Sequence, residues 1–530
     1  MKWIVLAAAL FIQATSIQAM TIKADAAQRI ELDLSQSTFL TVDKPRYYRG
    51  YIRSQDFINK VVAYDAQGNE IKELLNYRTK EMEIFWLVDK AGTYQLEFDV
   101  DDRKSSKIEL SLTPIPLKDD QYLSPETTML SPLVTNTAHK IAAGDTKAED
   151  KFWQHVTSSG TPLVEYKQEG TAIVTFLYQG EANNVRILGA PNGGHAQLSH
   201  LAGSDIWFHS FEVPDSTRLS YRVAPNVPQL LKDENREQRK AVLATAQLDP
   251  LNTRPSFGED KGLFGSASTL TLANASSDRA ALEQGNPKGK IDHYSYQGQA
   301  DSEPREISVY TPNQSYSLTK DAPLLLLFDG ASYINKVPTP LIMDNLIADK
   351  RIPPMRVVFI NPPRPSMRAK ELTPNKAFAD MLANELMPWL CSEPSICPTA
   401  ENTVISGSSF GGLASMHIAI LHPNRFGKVL SQSGSFWWEP KGAQSKTNSA
   451  TNWMSELIAS ESKKNLQIYL NAGLFETEPK HASILETNQQ LFSTLQSKGY
   501  NAHLQSVASG HDYFSWRVML ADGLTVLFSD

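Results

Sequence analysis

The stretch VISGSSFGGLASM, residues 404–416, decides the fold because it sets a serine among glycines where an apolar strand passes into a helix. It contains the pattern G-x-S-x-G, with Ser409 at its centre, after NTVIS and before GLASMHIAILH. So tight a turn strains its central residue, and we expect Gly407 and Gly411 to supply the room it needs. The context predicts that Ser409 is a catalytic nucleophile; the alternative is a merely structural turn.

The chain around this turn alternates unbroken apolar strands with helical stretches. Continuous apolar strands are buried on both faces, which predicts a mostly parallel sheet covered by helices. In such sheets the functional loops follow the carboxyl ends of the strands. We therefore predict an α/β catalytic domain over residues 290–530, with strands in REISVYTP, PLLLLFDG, RVVFINPP, NTVISGSS, KVLSQSGS and LQIYLNAG.

A chain of 530 residues is too long for a single core and predicts several domains. Residues 20–112 alternate apolar and polar side chains between glycine turns, which predicts an all-β domain. Residues 113–150 are proline-rich and polar and indicate a linker with a short helix. Short period-2 strands over residues 151–248 predict a second β domain of immunoglobulin type, and residues 249–289 read as an irregular connector.

The first 19 residues have the features of a secretory signal peptide: Lys2, an apolar run and small residues near Ala19. The alternative is a membrane anchor, but the run is about ten residues long and a bilayer span needs roughly 20. We therefore expect a periplasmic or secreted protein without a transmembrane span. An oxidising compartment would close Cys391 and Cys397 into a small disulfide ring; the alternative is two unpaired thiols.

The formal net charge is −7, and no basic run is interleaved with aromatic residues, so the sequence offers no footprint for nucleic acid. There is no further cluster of Cys or His beside the two cysteines that would predict a zinc site. We expect a small-molecule substrate and neither a metal nor an organic cofactor.

A catalytic serine needs a base, and in this fold the chain order is serine, acid, histidine. His511 lies in ASGHDYFSWR, a loop directly after a strand, whereas His503 lies within a strand and His481 in a polar helical run. His511 is therefore the predicted base. The loop after LQIYLNAG offers Glu476 and Glu478 as the acid, and Glu476 is favoured because it is nearer the strand end.

The oxyanion formed during acyl transfer needs two backbone N–H donors. One is expected from Phe410, the residue after the nucleophile. The loop after PLLLLFDG would supply the other, for which we predict Ala331; the alternative for this loop is an ordinary turn.

Several stretches together resemble enterochelin esterase and its relatives in the esterase D family of α/β-hydrolases. The resemblance covers the chain from about residue 151 onward, including DPLN at residues 249–252, and departs from the best-known member by the signal peptide and the first β domain. Its motifs are LLFDGASY, RAKELTPNKAFADMLANELMPWL, GSSFGGLASMHIAILHPNRFGKVLSQSGSFWW, NAGLFETEPKHASILETNQQL and SGHDYFSWR.

The resemblance implies a serine esterase that opens the trilactone backbone of catecholate siderophores such as enterobactin, free or iron-loaded, so that iron is released. Export is expected from the signal-like residues 1–19 and not from the resemblance. It matches Ser409 and His511 to nucleophile and base, and Glu476 to an acidic position that some relatives do without. Arg368 matches a family arginine that could hold an anionic catecholate; the alternative is an ion pair with Glu371.

Trp437 and Trp438 could stack on aromatic rings, or could simply pack. Two rival functions remain: a feruloyl or acetyl esterase acting on carbohydrate esters, and a siderophore-binding protein without turnover. The intact Ser409, His511 and glycine elbow argue against the second rival.

Overall fold

The protein is described by a computed structural model covering residues 19–529, apart from residues 24–25, 34–36, 76, 102–106, 119–120, 122–124, 169, 193, 231–234, 259–265, 300–302, 393, 442–451 and 478–482. The predicted signal peptide therefore lies, except for Ala19, outside the described residues. Glu478 and His481 lie outside them as well.

The first β region is one folded sheet of eight strands in the order β1-β3-β7-β4-β8-β2, with β5 and β6 also paired to β4. The long strand β4 pairs with β6 and β8 through its first half and with β7 and β5 through its second half. It thereby joins both halves of the sheet around one core. The strands are β1 Ala19–Lys23, β2 Gln28–Asp33, β3 Ser37–Val42, β4 Arg46–Tyr64, β5 Glu70–Leu75, β6 Thr79–Val88, β7 Gly92–Val100 and β8 Lys107–Ile115.

The second β region is a sandwich of two four-stranded sheets, in the orders β13-β14-β10-β9 and β12-β11-β15-β16. Its core includes the rings of Phe176 and Tyr221, packed edge to face with their centroids 4.9 Å apart. Its strands are β9 Leu163–Tyr166, β10 Thr171–Gln179, β11 Val185–Leu188, β12 His195–Gln197, β13 Ser199–His200, β14 Ile206–Pro214, β15 Arg218–Pro225 and β16 Ser268–Thr271.

The segments around this sandwich contain more regular structure than the sequence predicts. Helix α1 (Pro132–Ala142) and the start of helix α2 (Ala148–Ser159) lie in the stretch interpreted as a linker, and α3 spans Asn235–Thr245. Strand β16 lies in the stretch interpreted as a connector. It pairs with β15 and completes one sheet of the sandwich.

The third region is an α/β unit with an eight-stranded sheet in the order β17-β18-β20-β19-β21-β22-β23-β24. Strands β17 and β18 are antiparallel at one edge, and the strands from β20 to β24 are parallel. The predicted fold class, an α/β-hydrolase domain preceded by sheet-rich regions, is confirmed. The strands are β17 Lys290–Tyr296, β18 Arg305–Thr311, β19 Leu324–Phe328, β20 Arg356–Ile360, β21 Thr403–Ser408, β22 Lys428–Gln432, β23 Gln467–Gly473 and β24 Asn501–Val507.

Helices cover both faces of this sheet, as its continuously apolar strands require. Helices α7 to α11 contribute to the core on one face, and α4, α5 and α12 to the core on the other. They are α4 Gly330–Asn335, α5 Thr339–Ala348, α6 Arg368–Leu372, α7 Lys376–Met381, α8 Met387–Ser392, α9 Phe410–Leu421, α10 Trp453–Ser460, α11 Ile484–Ser497 and α12 Tyr513–Phe528.

Two further expectations concern the compartment. Cys391 and Cys397 form a disulfide, as the sequence predicts. Within the described ranges, no helix has both the length and the apolar character that a bilayer span requires.

His417 couples the stability of the α/β unit to pH. It lies on the buried helix α9 with 8% of its surface exposed and its ring 6.0 Å from that of Trp453. Burial, and secondarily the charge of His422, lowers the pKa of His417 to about 4. The unfolded chain takes up this proton near pH 6.5, so the folded state loses stability as the pH falls from about 6.5 towards 4.

We expect His417→Gln to reduce this acid sensitivity by about 2–3 kcal/mol between pH 7 and pH 4.5, which corresponds to the lowered pKa. The measurement is urea unfolding of wild type and variant at both pH values. His503→Gln, at an exposed position on β24, should follow the wild type. If the free energy of unfolding fell equally in the wild type and His417→Gln between pH 7 and pH 4.5, His417 would not be the source of the acid sensitivity.

Candidate active site

Ser409 lies at the turn from β21 into α9 with φ 58° and ψ −119°, a conformation that non-glycine residues seldom adopt. The turn is so tight that a Cβ on Gly407 would lie 2.9 Å from the Cα of Gly411. Ser409 is the N-cap residue of α9, but its side chain makes no capping hydrogen bond. Its hydroxyl therefore remains available for chemistry.

The role of the second glycine differs from the prediction. A Cβ on Gly411 would meet its nearest atom at an ordinary 3.5 Å, whereas one on Gly412 would lie 2.5 Å from Ser431 Oγ. The prediction that Gly411 must lack a side chain to avoid a close contact of its Cβ was therefore wrong, since the crowded position is the next residue. Gly412 has this role, because α9 passes directly over the end of β22.

The hydroxyl of Ser409 lies against Ser435, with their Oγ atoms 3.1 Å apart. The backbone holds the two residues together, since the N–H of Ser435 donates to the carbonyl oxygen of Ser409 at 3.0 Å. Across the described residues, no direct hydrogen bond joins Ser409 Oγ to His511. Such bonds are often long in unliganded enzymes and tighten when substrate binds.

The structure brings His511 and Glu476 together, with Nδ1 of His511 2.5 Å from Oε1 of Glu476. A carboxylate can only accept, so Nδ1 carries the hydrogen and Nε2 is left as the base. The other carboxylate oxygen of Glu476 accepts the N–H of Gly473 at 2.7 Å. The Glu476 side chain is 1% exposed and that of His511 38%, so a buried carboxylate orients an imidazole that is partly exposed.

The neighbouring β sandwich anchors the loops that carry this pair. Phe475, beside Glu476, and Ala508, which precedes the His511 loop, are buried in the core of the sandwich. The N–H of Arg218 on β15 donates to the carbonyl oxygen of Ala508 at 2.9 Å. The loops of the predicted acid and base are therefore held by both the α/β unit and the sandwich.

Asp512, the residue after His511, anchors the histidine loop. Its carboxylate accepts the N–H of Ser515 at 2.9 Å and that of Ser220 on β15 at 3.4 Å. Burial raises the pKa of Asp512 to about 6, and the backbone N–H donors oppose that rise. The side chain next to the base is thus committed to holding the domain junction.

Trp516 forms a wall beside the base. Its ring packs edge to face against that of His511, with their centroids 4.8 Å apart. Its indole N–H donates to Ser433 Oγ at 2.9 Å, which fixes the ring on the loop after β22.

The two predicted oxyanion donors differ in their surroundings. Phe410 is the first residue of α9, and the first amides of a helix have no intrahelical partner. The N–H of Ala331, by contrast, donates to Asn361 Oδ1 at 2.9 Å. Ala331 would have to release Asn361 before it could bind an oxyanion.

Arg368 is held by Asp329, the residue before α4. Its Nε and Nη2 contact the two carboxylate oxygens of Asp329, each at 2.6 Å. The alternative of an ion pair with Glu371 was wrong, because Glu371 pairs at 3.0 Å with the buried Arg305.

The structure gives the two tryptophans different surroundings. Trp437 is 48% exposed, and its ring lies 5.9 Å from that of Phe410, the neighbour of Ser409. Trp438 packs against the core and lies edge to face with Trp453 at 5.7 Å. Trp437 is thus available to a ligand, whereas Trp438 matches the packing alternative.

Sequence reasoning missed Ser435, Asp329 and Trp516 as neighbours of the site. Asp329 directly follows the buried strand β19 and Ser435 lies three residues after β22, and these positions could have identified them. Trp516 carries no such signal, because its contact with His511 depends on how α12 packs under the sheet.

The comparisons with known proteins agree with this architecture. The esterase family model matches residues 299–527, and the model for the amino-terminal domain of enterochelin esterase matches residues 173–281. An iron(III) enterobactin esterase of Dickeya dadantii is 28% identical over 410 residues, which are 72% of this chain and 93% of the relative. An iron(III) salmochelin esterase of Escherichia coli O6:H1 is 27% identical over 412 residues, or 74% and 97% of the two chains.

A solved structure agrees as well. The enterobactin esterase of Shigella flexneri, crystallised in the presence of enterobactin, superposes with a TM-score of 0.57 at 25% identity and covers 71% of this chain and 97% of its own. Both family-model matches lie beyond the first β region, residues 19–115.

We expect Ser409→Ala and His511→Ala each to lower kcat for ester hydrolysis by roughly 10⁴-fold, and the double variant to be no slower, because the two groups act as a unit. Hydrolysis of p-nitrophenyl butyrate measures the rates, and circular dichroism checks the fold. A double variant much slower than either single variant would rule out the unit.

Glu476→Gln should cost less than either of these changes. It places an amide group opposite either the His511 Nδ1–H or the Gly473 N–H, both of which are donors. Glu478→Gln is the matched control and should retain the wild-type rate. A larger loss from Glu478→Gln would move the acid to that residue.

Proposed function

Because this chain is an enterochelin esterase-like protein and a carboxylic ester hydrolase, we propose that it hydrolyses the trilactone backbone of catecholate siderophores such as enterobactin, free or iron-loaded. The observation that carries the proposal is the buried Glu476 oriented on His511 at the same sheet edge as the strained Ser409. The names of relatives that act on enterobactin and salmochelin support the substrate class.

In the proposed mechanism His511 Nε2 takes the proton from Ser409 Oγ as this oxygen attacks the ester carbonyl. Glu476 stabilises the imidazolium that forms, and the Phe410 N–H stabilises the negative charge on the former carbonyl oxygen. His511 then protonates the departing alcohol. Water, activated by the same imidazole, hydrolyses the acyl-enzyme and releases Ser409.

Substrate recognition is proposed for Trp437 and Arg368. A catechol ring is flat and electron-rich, so an exposed indole beside the nucleophile can stack on it. Trp438 is less suited, since it packs against the core. Arg368 is one-third exposed and already paired with Asp329, so an anionic ring would have to share this guanidinium.

We expect Trp437→Ala to lower kcat/KM for enterobactin about three- to tenfold, the range for one lost aromatic contact. Hydrolysis of p-nitrophenyl butyrate should change less than twofold. Trp438→Phe is the control for packing and should affect both substrates equally. If Arg368 binds the substrate, Arg368→Ala should lower kcat/KM for enterobactin but not for p-nitrophenyl butyrate. If Arg368 only braces Asp329, kcat/KM should fall equally for both substrates.

The same assay tests the substrate class. If enterobactin, with and without Fe³⁺, is not cleaved while feruloylated xylan fragments are, the chain is a carbohydrate esterase. If no ester is cleaved, the chain is a binding protein.

Export to the periplasm or medium is proposed from the signal-like residues 1–19 and from the Cys391–Cys397 disulfide. We expect protein recovered from an oxidising compartment to begin near Met20 and to show no free thiol when denatured. Mass spectrometry and thiol titration measure both. Two titratable thiols, or an uncleaved amino terminus, would contradict export.

A further inference from the structure

The exit of strand β22 is built as tightly as the exit of β21 that carries Ser409. Ser433 has φ 48°, a second left-handed non-glycine residue at the same sheet edge. Its N–H donates to the carbonyl oxygen of Asn471 at 2.8 Å, and its hydroxyl accepts the indole N–H of Trp516 at 2.9 Å. The surrounding structure thus holds this strained residue in place.

Gly434, the next residue of the turn, has no room for a side chain. A Cβ at this position would lie 2.5 Å from the ring of Phe436 and 2.6 Å from Ser431 Oγ. Its carbonyl oxygen accepts the side-chain amide of Asn488 at 2.9 Å. The turn therefore presents the next residue in one fixed orientation.

That residue is Ser435, which is 1% exposed. Its N–H donates a hydrogen bond to the carbonyl oxygen of Ser409, and its Oγ lies 3.1 Å from Ser409 Oγ. Two strained turns on adjacent parallel strands thus meet in a contact between two hydroxyl groups, one of them on the proposed nucleophile.

We propose that Ser435 is a further catalytic residue, whose hydroxyl donates a hydrogen bond to Ser409 Oγ. This inference rests on the proposed function, in which Ser409 is the nucleophile. In acylation the Ser409 proton passes to His511 Nε2, the bond from Oγ to the carbonyl carbon forms, and Ser435 keeps its own proton. A fixed donor in this partly buried site stabilises the negative charge that builds on Oγ.

Deacylation uses the same contact in reverse. The bond from the carbonyl carbon to Oγ breaks, the oxygen departs with its electron pair, and His511 returns the proton. Ser435 stabilises the departing oxygen as it did the attacking one. Because Ser409 has no capping bond to fix its hydroxyl, Ser435 also sets the direction of that hydroxyl.

The experiment measures how fast a fluorophosphonate labels Ser409, together with kcat and KM for p-nitrophenyl butyrate. A hydrogen bond to a charged group is lost in Ser435→Ala, so labelling and kcat should fall about 10- to 100-fold with KM within twofold. Ser431→Ala is the matched control, since it removes a buried hydroxyl of β22 that has no partner among the described residues. It should label at the wild-type rate.

Ser435→Thr and Ser435→Val separate chemistry from packing, because they have the same shape and differ by one hydroxyl. The threonine variant should label about tenfold or more faster than the valine variant. Equal rates for these two would overturn the proposal. Faster labelling of Ser435→Ala than of the wild type would also overturn it, because Ser435 would then hold Ser409 away from His511. If the wild type is not labelled at Ser409, the proposed function itself fails.

Discussion

The hydrogen bond between His511 and Glu476 is the interaction on which the site depends, and it joins two loops that neither sequence nor strand order alone would hold together. The loops follow β23 and β24, whose parallel pairing brings their carboxyl ends to one edge. The loop residues Phe475 and Ala508 are then buried in the adjacent sandwich. The sandwich is therefore a structural part of the candidate active site, and the family-model matches cover both regions.

The parallel pairing of β21 and β22 brings Ser409 and Ser435 together. β21 and β22 are neighbours, so two loops of different sequence meet at the same edge. Each exit contains a left-handed serine, Ser409 and Ser433, and such residues persist only where packing fixes them. Glycines with no room for a side chain, Gly407, Gly412 and Gly434, permit this packing. Both of these strained serines lie at the sheet edge where the chemistry is proposed to occur.

Much of the architecture could be predicted, because the signals were local. Continuous apolar strands gave the parallel sheet, and period-2 alternation gave the sheet-rich regions before it. The errors occurred where a residue's partner was distant in sequence. Glu371 was the alternative partner considered for Arg368, but it pairs with Arg305 from an antiparallel strand, while Arg368 pairs with Asp329. The four residues of strand β16 were interpreted as part of a connector, because so short a segment is recognisable as a strand only when its pairing with β15 is seen.

The sequence by itself determined the elbow at Ser409 and the α/β class, because spacing and periodicity encode backbone conformation locally. The class in turn predicted the chain order of candidate nucleophile, acid and histidine. Only the tertiary structure decided that Glu476 contacts His511, that Trp437 is exposed while Trp438 is packed, and that Ser435 lies on the nucleophile. Those contacts depend on which loops the sheet order and the sandwich bring together. Sequence position favoured Glu476 as the partner of His511, 35 residues away, but only the folded loops show that contact and the one between Ser409 and Ser435, 26 residues apart.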